Sequence, residues 1–115
     1  MENPLIDDRL VDFLLHDVHD APSLAAFPAF EGHDPETFDL FIAASRRLAR
    51  EVLFPTYRAM DTEPPTFDGS KVTTHPALPS AYQKLVELGC VGATRPAERG
   101  GQALPELVFA MASAY

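Results

Sequence analysis

The chain is short of cysteine, of base, of long apolar runs and of repeats, and each shortage removes a class of protein. A single cysteine, Cys90, among 115 residues excludes an internal disulfide framework and fits a reducing, cytoplasmic compartment. Lysine and arginine number 9 against 17 acids, for a formal net charge of −8. Such a surface repels a phosphate backbone, so nucleic-acid binding is not expected. An anionic cofactor or thioester needs a locally basic site, and the only base-rich patch is Arg46, Arg47 and Arg50. No stretch approaches the roughly 20 apolar residues of a membrane-spanning helix. The N-terminus, MENPLIDDRLVDFLL, has no positive leading region and acids break its apolar run early, so it is not expected to act as a signal peptide.

What is present is the composition of a globular helical protein. Hydrophobic residues make up 46% and charged residues 23%, which argues against disorder. The length suits one small domain, with marginal independent stability. The 11 prolines fall mostly between periodic segments, which predicts helices joined by long ordered connections.

The expected fold is all-α, with about four helices. Ile6, Leu10, Phe13, Leu14 and Val18 recur at helical spacing between about Leu5 and Val18, with Asp7, Asp8 and Asp12 opposite. This short helix and the connection after it, residues 1–33, form an N-terminal extension. Ser23 to Ala26 can make a brief helical turn, and Phe27 and Phe30 are expected to pin the connection to an apolar surface. Asp34-Pro35-Glu36-Thr37 is a helix start: a capping carboxylate, then proline at the first helical position. Phe38, Phe41, Ile42, Ser45, Leu48, Ala49, Val52 and Leu53 then form the inward stripe of the longest helix, with Arg47 and Glu51 spaced to pair. Pro55 kinks or ends it; Tyr57 and Met60 extend its apolar face one more turn. Asp68-Gly69 is a turn signal, and Val72 to Thr74 is extended but too short for an independent sheet. A third helix spans about Pro79 to Leu88, with Tyr82, Leu85, Val86 and Leu88 apolar and Gly89 as its left-handed cap.

The last stretch, RPAERGGQALPELVF, organises the rest. Gly100 and Gly101 free the backbone for a structural turn, and Pro105 suits the first turn of a new helix. Leu104, Leu107, Val108, Met111, Ala112 and Tyr115 make one apolar stripe. The sequence stops inside that amphipathic helix, so the expectation is a part of something larger.

Few residues suggest chemistry. His16 and His19 lie beside Asp17 and Asp20, but the closed ligand set of a metal site is missing, so no metal is expected. His33 and His75 are isolated. Cys90 has no basic neighbour to lower its pKa and is expected to be a small buried residue. Two glycines before a helix could cradle a phosphate, but neither a Walker loop nor a GxGxxG run is present, and a structural turn is the better expectation. No Ser–His–Asp or Cys–His set emerges from the spacing.

The order of these features goes further than any one of them. Val52-Leu53-Phe54-Pro55 is followed by Asp68-Gly69, Val72-Thr73-Thr74-His75-Pro76, Leu88-Gly89, and finally Pro96-Ala97-Glu98-Arg99-Gly100-Gly101-Gln102-Ala103-Leu104-Pro105. This run, from about Leu5 to Tyr115, resembles the N-terminal part of FAD-dependent acyl-CoA dehydrogenases. The bacterial branch with an extra N-terminal segment, which includes methylmercaptopropionyl-CoA dehydrogenases, is the most similar. Arg99 stands where that family usually has an aromatic residue, and Cys90 where tryptophan is common; both leave the substrate branch open. The resemblance implies residues 34–115 are a partial N-terminal helical domain, followed in a full-length flavoprotein by a β-domain and a C-terminal bundle. It implies α,β-dehydrogenation of an acyl-CoA in fatty-acid metabolism: a carboxylate removes the α-proton and the β-hydride passes to FAD. The base and the flavin site belong to the absent parts, so the chain alone is expected to hold no FAD and to be inactive. Its partners are the remainder of the dehydrogenase chain or a homologous subunit, with homo-oligomers when complete. By position, Val108, Met111 and Tyr115 line the acyl pocket, with plain core packing as the competing expectation. The rival function is a free-standing acidic helical interaction module, or a small subunit that completes a dehydrogenase-like partner.

Overall fold

The computed structural model describes residues 6–115. They are mostly helical, as expected, with a single two-stranded hairpin.

Helix α1 (Asp8–Asp12) is capped by Asp7, whose carboxylate accepts from the Arg9 N–H at 2.7 Å. It runs on into a wider π-type turn, Phe13–Val18, closed by the His19 N–H on the Leu14 carbonyl. Its packing face is only in part the expected one, with Ile6 packed against the core. Val11 and Leu15 are buried, whereas Leu10, Phe13 and Val18 are about half exposed. Asp8, Val11, Asp12 and Leu15 share one side of the helix by their spacing. Arg46 and Arg50 hold the two acids, and that pairing turns the side with Val11 and Leu15 inward. The helix start near Leu5 lies outside the described residues.

Single turns at Ala21–Ala26 and Pro28–Phe30 lead to the next helix. Phe27 does not anchor this connection; it is 56% exposed. Ala21, Leu24 and Ala25 meet the core instead, because the tight turns direct the small side chains inward.

Helix α2 (Pro35–Leu48) begins as expected. Asp34 accepts from the Thr37 N–H at 2.8 Å, and Thr37 Oγ1 accepts back from the Asp34 N–H. Phe38, Phe41, Ile42, Ser45 and Ala49 are buried along it. Pro55 does not end the helix. The turn before it widens over Ala49–Leu53, and the helix resumes as α3 (Phe54–Thr62). A proline lacks the N–H for the carbonyl four residues back and crowds it, and a wider turn makes room. Thr56 Oγ1 then donates to the Val52 and Leu53 carbonyls at 3.0 and 2.9 Å. Tyr57 does not extend the buried face; it is 66% exposed. Arg47 and Glu51 form no ion pair among the described residues.

Strands β1 (Thr66–Phe67) and β2 (Val72–Thr73) pair antiparallel, Thr66 with Thr73 and Phe67 with Val72. Asp68 closes their turn by accepting from the Ser70 and Lys71 N–H groups, with Gly69 at a φ of 98°. Helix α4 (Ala77–Leu88) starts two residues earlier than Pro79, because His75 Nδ1 accepts from the Ala77 N–H at 3.0 Å. Gly89 caps it at a φ of 86°. Ala81 is its buried contact, while Tyr82 and Val86 face outward. Helix α5 (Glu106–Ser113) closes the core against α2, around Phe38, Phe41, Ile42, Leu104, Val108 and Ala112.

The whole is a slab of 52 × 34 × 17 Å. Its radius of gyration is 16.5 Å, against roughly 13 Å for a compact domain of this length. No described helix is long and apolar enough to cross a membrane.

Candidate functional site

The double-glycine corner comes first, since it aims α5. A tight turn, Ala97–Arg99, leads to Gly100 at a φ of 79°. Gly101 has ordinary dihedrals and a different reason to be glycine. A Cβ there would lie 2.1 Å from the Arg95 carbonyl oxygen. The N–H groups of Gly100 and Gly101 bond the Ala97 and Pro96 carbonyls. Those of Gln102, Ala103 and Leu104 bond Gly92, Arg95 and Ala93 at 3.1, 2.8 and 2.9 Å. Every donor of a phosphate cradle is therefore occupied, and Glu106 adds negative charge at the α5 start. Pro105 is the buried residue just ahead of α5 rather than within its first turn; its ψ of 140° is extended.

Gln102 ties the corner to both sides. Its Nε2 donates to the Leu88 carbonyl at 3.1 Å, satisfying an open group at the end of α4. His33, isolated in the sequence, hydrogen-bonds the Gln102 carbonyl through Nε2 and packs against Phe38.

Beside the corner, α2, α4 and α5 enclose an apolar groove of about 250 Å³. Its floor includes Ser45, Leu48, Ala49 and Leu53; Leu85, Phe109, Ala112 and Tyr115 form its walls. Cys90 also borders it, half-buried, and burial pushes its thiol above the usual value, away from the reactive thiolate. Ser45 is 6% exposed, and its hydroxyl has no hydrogen-bond partner.

A charged cluster meets Tyr115. Arg46 Nε donates to the Tyr115 hydroxyl at 3.0 Å while its guanidinium lies 5.3 Å from the Tyr115 ring centre. The same Nε is 3.2 Å from Asp8 Oδ1, and Arg46 Nη2 is 3.2 Å from Asp12. Arg50 Nη2 holds the other Asp8 oxygen at 2.5 Å. The Arg50 hydrogen bond, with the charges of both arginines, keeps the Asp8 carboxyl below its ordinary value against the opposing effect of burial. Burial raises the Tyr115 hydroxyl, partly offset by Arg46. Two of the three arginines in the basic patch are thus neutralised internally.

Of the expected pocket residues, Tyr115 borders the groove. Val108 is 0% exposed and belongs to the core, and Met111 packs against that core without lining the groove. His16 Nε2 meets Asp39 at 3.0 Å and His19 is exposed. His75 Nε2 meets Glu63 at 3.3 Å. No three metal-ligating side chains cluster among the described residues. Comparison with protein-family models, with curated proteins and with solved structures returns no match.

Proposed function

We propose that this chain is the N-terminal helical part of an FAD-dependent acyl-CoA dehydrogenase, with the base and flavin site supplied from outside residues 1–115. The observation that carries the proposal is the order of the motifs from Val52-Leu53-Phe54-Pro55 to the Gly100-Gly101 corner. The groove supports it physically. Its walls are apolar and adaptable, as a hydrocarbon chain requires. Its volume of about 250 Å³ falls below the roughly 300–1,000 Å³ of a complete small-molecule site. It therefore serves as one wall of an acyl pocket, along the side of α5 that carries Phe109, Ala112 and Tyr115. With Arg46 and Arg50 occupied by Asp8 and Asp12, the anionic end of the thioester is bound elsewhere.

The test is genetic and then spectroscopic. The reading frame following codon 115, or an adjacent one, is expected to encode the remaining dehydrogenase. Co-purification with that product is expected to yield a yellow flavoprotein that reduces a dye acceptor with an acyl-CoA. A gene that ends at Tyr115 with no dehydrogenase frame beside it would sink the proposal.

A second function is favoured by the exposed apolar side chains on α3 and α4. Phe54, Tyr57, Tyr82 and Val86 are 39%, 66%, 55% and 41% exposed, which also suits a free-standing interaction module. Size exclusion with light scattering on the chain alone separates the two: a soluble, well-folded monomer argues against the module's obligate docking surface.

A further inference from the structure

We propose that the outward side of α1 is a docking surface for a cationic amphipathic helix. The inference goes beyond the proposed function, since none of its residues lines the groove. Two observations carry it. The first is apolar. Helix α1 and its wide turn bury Val11 and Leu15, while Leu10, Phe13 and Val18 stand 49%, 51% and 51% exposed. By their spacing these three, with the half-buried Leu14, fall on the side away from Val11 and Leu15. A helix apolar on two sides has the pattern of a helix covered on two sides. The core covers one of them, and the other is open among the described residues. From Leu10 to Val18 the stripe runs about 12 Å at roughly 1.5 Å per residue, enough for two turns of a partner helix. The second observation is charge. Between Asp7 and Asp39 there are nine acids and one base, Arg9, whereas residues 40–115 hold seven acids and eight bases. That one segment carries a charge of −8, as much as the whole chain. Asp8 and Asp12 are held by Arg46 and Arg50, Asp7 and Asp34 cap helices, and Asp39 meets His16. Asp17, Asp20, Glu31 and Glu36 are exposed and form no ion pair among the described residues. Asp17 lies beside the stripe and Asp20 just past its end. The apolar side calls for a partner, and the charge selects it. A second copy or an anionic membrane surface would bring like charge against this segment and be repelled. A basic helix instead sets its apolar side on Leu10, Phe13 and Val18 and its cations against the free acids.

The probe is a synthetic peptide of about 18 residues, leucine and lysine patterned as one amphipathic helix, titrated into the 115-residue chain. Amide NMR shifts of Leu14, Asp17 and Val18 report on α1, with Leu85 and Val86 on α4 as the reference. Saturable shifts confined to α1 are expected. The affinity is expected to fall as salt rises, because exposed charges are screened beyond roughly 10 Å at 0.1 M. Phe13→Ala is expected to weaken binding roughly tenfold, the scale of an aromatic interface anchor, and Asp17→Asn roughly twofold. Val86→Ala is expected to leave it unchanged. The same peptide in scrambled order tests the apolar stripe, and a leucine–glutamate version tests the charge. Each is expected to bind at least roughly tenfold more weakly than the leucine–lysine helix. Equal binding of either peptide, no saturable shift, or shifts centred on α4 overturns the proposal on the wild-type chain alone. Dimerisation of the free chain that Phe13→Ala abolishes, or binding to vesicles of anionic lipid through α1, assigns the stripe another occupant and overturns it as well.

Discussion

Asp8 meets Arg46 and Arg50 from a helix that lies 38 and 42 residues earlier in the chain. Its carboxyl titrates below the ordinary 3.8 because the Arg50 hydrogen bond and the two arginine charges outweigh burial. A depressed folded-state pKa adds stability that is present above the unfolded value and is lost as pH falls through the folded one. Asp8→Asn is therefore expected to cost about 1 kcal/mol near neutral pH, the size of a part-exposed pair. The gap between the two proteins should close in acid, read as converging thermal midpoints. The two corner glycines separate equally cleanly. Gly100 is left-handed with open space around its missing Cβ, so Gly100→Ala costs about 1 kcal/mol of backbone strain. At Gly101 a Cβ meets the Arg95 carbonyl at 2.1 Å, and Gly101→Ala is expected to cost more, about 2–3 kcal/mol. Urea unfolding of both variants checks the order; equal costs would contradict the close approach.

At the scale of elements, α1 tests what sets the phase of a helix. Val11 is 0% exposed and Phe13 51% exposed. Val11→Ala should lose about 2 kcal/mol through the cavity it leaves, while Phe13→Ala should stay within about 0.5 kcal/mol. The opposite result would restore the stripe of Leu10, Phe13 and Val18. That stripe is legible in the sequence and still wrong, since apolar spacing says nothing of a partner 34 to 42 residues away. The α2 start, by contrast, was fully legible. Asp34, Pro35 and Thr37 act within one turn, where local hydrogen bonds decide the outcome. The junction at Pro55 lies between these cases. Proline announces a disturbance, but whether the helix stops depends on whether the preceding turn can widen, with Thr56 adding side-chain bonds to the Val52 and Leu53 carbonyls where the helix resumes. Thr56→Val is expected to cost about 1 kcal/mol, measured by the helical signal on heating.

For the molecule as a whole, the slab is the dominant fact. It exposes 7782 Å², where a compact monomer of 12.6 kDa exposes roughly 6,200 Å². The excess of roughly 1,600 Å² exceeds the roughly 800 Å² that each partner of an ordinary complex buries. A chain with this much uncovered surface is expected to bind an apolar dye in its native state, and, under the proposed function, to lose that signal when the dehydrogenase remainder is added. Dye binding that persists in the complex would mean the partner sits elsewhere. The groove follows from the same shape: it stays open because α5 covers only part of the apolar stripe that runs from α2 into the wide turn at Ala49–Leu53.

Local pattern was enough for the helical class, the start of α2, the Gly89 cap, the Asp68-Gly69 turn and the inward stripe of α5. Each depends on residues within a few positions of one another, where dihedral preference and capping act without help. Packing between segments selected the buried face of α1, put Val108 in the core with Tyr115 beside a groove, and left the Ser45 hydroxyl unpaired. Those outcomes depend on contacts between distant segments, Arg46 with Tyr115 and His33 with Gln102 among them. No local pattern encodes such contacts, because the energies that select them exist only once the helices have packed.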